Sequence, residues 1–125
     1  MSRLPEDRLA QNAAIQPALS ASLDQLWTKF LPQIVERIAI LESAAAALGA
    51  GLHSPAQCAL ASAAAHKLAG VLGAFGLAQA TDLAREAEIL YSGEPQTGLQ
   101  AAARLRSIAA QLRSLVECRE NASSL

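Results

Sequence analysis

Ala65-His66-Lys67-Leu68-Ala69-Gly70-Val71-Leu72-Gly73-Ala74-Phe75-Gly76-Leu77 is the stretch on which the fold turns. One histidine stands in an alanine-rich helical run, and glycines follow it four, seven and ten residues later. Each helical residue advances about 100°. With His66 at zero, Ala59, Ser62, Ala63, Ala69, Gly70 and Gly73 fall within about 60° of it, and every one is small. Leu60, Ala61, Ala64, Leu68, Val71, Leu72 and Phe75 fall on the other side and are expected to face a core. His66 is therefore expected on an outward face, at the centre of a bare patch. A glycine inside a helix costs about 1 kcal/mol relative to alanine. At Gly70 that cost points to the close approach of a partner.

Upstream, Ser54-Pro55-Ala56-Gln57 is a helix start: a cap residue, a proline at the first position and a glutamine at the third. This helix carries His66 and is expected to end near Ala74. A further helix follows from about Leu77 to Tyr91, closed by Ser92-Gly93 and Pro95. Thr97 with Gln100 has capping-box spacing and opens a last helix to about Cys118, with Leu99, Ala102, Leu105, Ile108, Leu112 and Leu115 on one face. Before the histidine helix, Ile34, Val35, Ile38, Leu41, Ala45 and Leu48 keep helical period up to Gly49, and Gly49 with Gly51 suits a left-handed turn.

Pro32 fits the first turn of that helix, since its missing N–H is not needed there. Ser22 and Gln25 form a capping box for a separate short helix over 23–31. Residues 1–20 read as a flexible or loosely docked arm, and residues 121–125 as a short tail. No strand pattern competes. The expected fold is all-α: an antiparallel up-down four-helix bundle over 21–120 with a short extra N-terminal helix.

Composition narrows the classes. The chain has 125 residues, enough for one domain with a real core. Hydrophobic residues make up 52% and aromatics only 3%, so alanine carries much of the apolar content and the helices must approach closely. The net charge is −1 with the ten basic residues spread out, which argues against a nucleic-acid surface. Charges and prolines interrupt residues 1–19, so no signal peptide is read, and no long uncharged apolar run suggests a membrane span. Cys58 and Cys118 are far apart and are expected as two reduced thiols of a cytoplasmic protein.

A lone outward imidazole has few chemical uses. No metal site is expected, because Gly70 stands at the i+4 ligand position, Ser62 at i−4, and His53 lies in the loop before the helix. Cys58 lies about 80° round the helix and two turns away, too far to form a nucleophile pair with His66. Covalent acceptance of a phosphoryl group by His66 itself remains.

On these residues the sequence resembles the histidine-containing phosphotransfer (Hpt) domain. That family's pattern, His-x-apolar-Lys-Gly followed by Gly, an aromatic or apolar residue, Gly and an apolar residue, is matched by His66, Leu68, Gly70, Gly73, Phe75, Gly76 and Leu77. Ala69 stands where the family commonly has lysine, and Lys67 stands two places earlier. The resemblance implies that His66 is the phosphoacceptor. It implies that Glu88, twenty-two residues on, hydrogen-bonds and orients the imidazole. Lys67 and Arg85 are its candidates for contacting the phosphoryl oxygens. Ala59, Ser62, Ala63, Ala69, Gly70 and Gly73 would form the docking face.

The implied function is a phosphorelay intermediate without kinase activity of its own. Its partners would be receiver domains and a hybrid sensor histidine kinase, with magnesium on the receiver and no cofactor in this chain. A monomer is expected. Two other readings stay open: a bundle that docks a receiver or kinase and transfers nothing, and a helical oligomerisation scaffold.

Overall fold

The computed structural model describes residues 5–93 and 99–123, with side chains for 19–93 and 100–122. Four helices follow one another: α1 (Pro5–Gly49), α2 (Pro55–Ala74), α3 (Ala78–Ser92) and α4 (Leu99–Ser123). No strand occurs among the described residues. The chain divides into two compact units between Leu31 and Pro32, and the helical bundle belongs to the second.

The expected break between a short helix and a longer one is absent. α1 runs through Ser22, Gln25 and Pro32 without interruption, so the capping box read at Ser22 does not form a helix end. A proline within a helix gives up one hydrogen bond and crowds the preceding turn, and here the helix absorbs both. The division between the compact units nevertheless falls at that proline. The arm read over residues 1–20 is helical from Pro5 onward, and residues 1–4 lie outside the described residues. The Thr97 capping box also lies outside them.

Within the second unit, α1 buries the narrow stripe Ile34, Ile38, Leu41, Ala44 and Ala45. Val35, expected in the core, is 39% exposed because it sits about 100° off that stripe. Leu48 is half-buried. The helix ends in a Schellman motif: Leu52 N–H donates to the Ala47 carbonyl at 2.8 Å and Gly51 N–H to Leu48 at 3.2 Å. Gly51 has φ +72°, the left-handed value that this motif asks of its turn residue.

α2 begins as expected. Ser54 is the N-cap, its Oγ accepting from Gln57 N–H at 3.1 Å, and Pro55 opens the first turn. At the other end Gly76, at φ +75°, repeats the Schellman geometry, with Leu77 N–H bound to the Leu72 carbonyl at 3.0 Å. α3 then packs back against α2, and α4 against α3. Ala102, Leu105, Ile108 and Leu112 of α4 are buried as expected, Val116 joins them and Leu115 is half-buried. Bidentate ion pairs cross between helices: Arg113 on Glu42 at 2.8 and 2.6 Å, and Arg104 on Glu86 at 2.5 and 2.6 Å.

Candidate functional site

α2 carries His66 and α3 carries Glu88. His66 Nδ1 lies 2.7 Å from Glu88 Oε2. The imidazole side chain is 77% exposed and the carboxylate 29%. A carboxylate accepts only, so in the neutral ring Nδ1–H is the donor and Nε2 keeps its lone pair. Glu88 is further tied to α2 through its own carbonyl, which accepts from Ser62 Oγ at 3.5 Å.

The charged run Arg85-Glu86-Ala87-Glu88 splits by helix face. Ala87 is buried, Glu88 turns to His66, and Glu86 turns to Arg104. The Arg104 hydrogen bonds hold the Glu86 carboxyl below the usual carboxylate range. Arg85 is exposed one turn before Glu88 and makes no ion pair among the described residues.

α2 is rolled relative to its expected orientation. Its buried residues are Ala61, Ala64, Ala65, Leu68, Ala69 and Leu72. Their mean direction lies about 130° from His66 rather than opposite it. Two expectations fail for this one reason. Ala69, expected beside His66 on the docking face, is buried at 7% exposure. Leu60, expected in the core, is 57% exposed. The outward face is centred between Ala63 and Gly70, with His66 toward one edge and Lys67 toward the other. Ala59, Ala63, Gly70 and Gly73 remain exposed and Ser62 is half-buried. A Cβ placed on Gly70 meets nothing within 4 Å, so nothing inside this chain requires a glycine there.

Two depressions flank that crest, and Ala63 and Lys67 line both. The smaller, of about 370 Å³, is shared with Gln33, Glu36, Arg37 and Leu60. The larger is an open groove of about 980 Å³ that holds His66 and Glu88 at one part and His53, Cys58 and Tyr91 at another. Tyr91 is 7% exposed and its hydroxyl finds no hydrogen-bond partner in the structure. Burial, with a smaller contribution from the Cys58 thiolate charge, pushes its pKa up to about 12. In the sequence Tyr91 stands out only as the end of its helix. The available signal was positional: Tyr91 stands three residues after Glu88, on the same side of α3.

Both cysteines are free thiols, Cys58 half-buried and Cys118 exposed. Among the described residues no cluster of three or more His, Cys, Asp or Glu side chains is placed to hold a metal ion. No helix among them is long and apolar enough to cross a membrane.

A family model described as the Hpt domain matches residues 25–122. The chain is also 37% identical over 73 residues to Protein RcaC of Microchaete diplosiphon; the match covers 58% of this chain and 11% of that protein. No solved structure matches the chain.

Proposed function

We propose, because this chain belongs to the Hpt domain family, that His66 accepts a phosphoryl group from the aspartyl phosphate of one receiver domain and gives it to the aspartate of another. Domains of this family are phosphotransfer modules of two-component phosphorelays rather than kinases, and they interact with receiver domains and histidine kinases.

The observation that carries the reading is the 2.7 Å contact between Nδ1 and the Glu88 carboxylate on a ring that is 77% exposed. In the forward step the Nε2 lone pair attacks phosphorus, an N–P bond forms, and the bond from phosphorus to the aspartyl oxygen breaks. The aspartate leaves as a carboxylate. The Nδ1 proton stays on the ring, shared with Glu88, which offsets the positive charge that develops on the imidazole. The reverse sequence delivers the group to the second receiver. Magnesium bound by the receiver would neutralise the phosphoryl oxygens there; this chain needs no cofactor of its own for the step.

Lys67 is the cation on this chain best supported for the phosphoryl oxygens, since it lines the groove with His66. Arg85 is the second candidate. The exposed small residues Ala59, Ala63, Gly70 and Gly73 are the proposed docking crest, with Ser62 at its margin. The protein would act as a cytoplasmic monomer.

The test is phosphoryl transfer from a labelled receiver domain. Wild type should acquire acid-labile, base-stable phosphate, and His66→Gln should acquire none while unfolding at the same urea midpoint. Equal labelling of the two overturns the assignment.

A further inference from the structure

Ser62 stands one turn before His66 on α2, on the same side of the helix. Its Oγ donates to the Glu88 carbonyl on α3 at 3.5 Å. Hydroxyls inside helices commonly turn back to the carbonyl four residues earlier on their own helix. Thr28 does so to Asp24 at 3.0 Å, and Thr81 to Leu77 at 2.8 Å. Ser62 instead crosses to the neighbouring helix, and it ends on the residue whose carboxylate meets His66 Nδ1 at 2.7 Å. Glu88 is therefore held by α2 at both its ends, the main chain by Ser62 and the side chain by His66. A helical carbonyl has a second lone pair beyond the one its own ladder uses, so α3 accepts this bond without giving up one of its own.

The surroundings of this tie give it weight. Up to His66 the buried side chains of α2 are the alanines Ala61, Ala64 and Ala65, whereas its buried leucines, Leu68 and Leu72, come after the histidine. A methyl group can roll against a neighbouring helix with little change in the area it buries, but a leucine seated between ridges cannot. The part of α2 that leads up to the imidazole thus buries no large side chain to set its roll. A hydrogen bond supplies direction instead, because it weakens steeply off line. A roll of about 20° would carry a side-chain tip about 2 Å at the radius of a helix surface, enough to part Nδ1 from the carboxylate.

We infer that Ser62 is a positioning residue: its hydroxyl fixes the roll of this part of α2 against α3, and so holds the imidazole with Nδ1 on Glu88 and Nε2 outward before any partner arrives. Ser62 acts through Glu88 and His66 and does not touch the transferred group. Its effect on phosphoryl transfer rests on His66 being the phosphoacceptor, whereas its effect on the ring does not.

The experiment compares full-length wild type, Ser62→Ala and Ser62→Thr. Nitrogen NMR of the protein alone reads the two ring nitrogens of His66, and a labelled receiver domain reads the rate of phosphate acceptance. Urea midpoints check that each variant is folded. Wild type should hold its neutral ring as the Nδ1–H tautomer. Ser62→Ala should show a clear fraction of the Nε2–H tautomer and accept phosphate several-fold more slowly. Ser62→Thr, which keeps the hydroxyl, should restore both. The inference is overturned if Ser62→Ala keeps the wild-type tautomer, even where transfer slows, since slowing alone would place Ser62 in partner docking. It is equally overturned if folded Ser62→Thr behaves as Ser62→Ala does. Failure of wild type to accept phosphate would count against the phosphoacceptor reading alone and leave the ring measurement standing.

Discussion

α2 and α3, which pack together, bury seven alanines, Ala61, Ala64, Ala65 and Ala69 from one and Ala80, Ala84 and Ala87 from the other, beside Leu68, Leu72, Leu83 and Tyr91. α1 and α4 bury Ile34, Ile38 and Leu41, and Leu105, Ile108 and Leu112. The two pairs do different physical work. Small side chains let two backbones approach closely, so that groups as short as His66 and Glu88 can meet at 2.7 Å across the gap. Each large aliphatic side chain removed from water contributes about 1.5–3 kcal/mol, so α1 and α4 should hold the larger share of the stability. Their outer seam is additionally clamped by Glu42 and Arg113. Precision at the site and stability of the bundle are thus carried by different residues.

The sharpest break in that contrast is a pair of substitutions. Leu112→Ala, at a fully buried position on α4, should cost about 3 kcal/mol in urea unfolding and leave the transfer rate of the folded protein unchanged. Ala65→Leu, overpacking a fully buried position next to His66 on α2, should cost about 1–3 kcal/mol and also slow transfer by displacing His66 from Glu88. If Leu112→Ala damages transfer as severely, the division of labour is wrong.

Glu88→Ala comes next. Removing an orienting partner of this kind costs about 10–100-fold in function, read as the rate of phosphate acceptance, with the urea midpoint held. Gly70→Ala should do the opposite on stability. The added methyl meets nothing within 4 Å, so the variant should gain up to about 1 kcal/mol. Docking of a receiver should weaken, as seen in its binding isotherm.

The smallest effect is expected at Glu42. Both sides of its pair with Arg113 are more than a third exposed, so Glu42→Ala should cost about 0.5 kcal/mol at neutral pH. The Arg113 hydrogen bonds hold the Glu42 carboxyl below its ordinary value. That stabilisation is present at neutral pH and is lost as acid protonates the folded carboxyl. The variant's stability should therefore fall less steeply than wild type on acidification, in urea melts across the carboxylate range.

Much of this was legible in the sequence because it depended on local rules. Ser54-Pro55 announces the start of α2 through cap chemistry, and Gly76 announces its end through the left-handed turn. The spacing from His66 to Glu88 was read from family resemblance, and the two side chains do meet. The roll of α2 was not legible. Alanine occurs on every side of that helix, so apolar pattern alone barely distinguishes one face from another, and tertiary packing decided where Leu60 and Ala69 fall. Pro32 misled for the converse reason: a strong local signal for a helix start yielded to the continuity of α1. The Cys58–Tyr91 part of the groove joins residues from two helices without a motif, and no local rule points to it.

The tight turn at Gly76 has a consequence of counting. His66 stands ten residues before Gly76 and Glu88 stands twelve after it, so the two arms of the hairpin are nearly equal and bring the pair to one height. One residue added at that corner would raise every side chain of α3 by about 1.5 Å and swing it about 100°, presenting Ala87 to the imidazole in place of the carboxylate. Surface loops ordinarily tolerate insertions. This one behaves as a ruler, and its length is as much a part of the chemistry as the histidine.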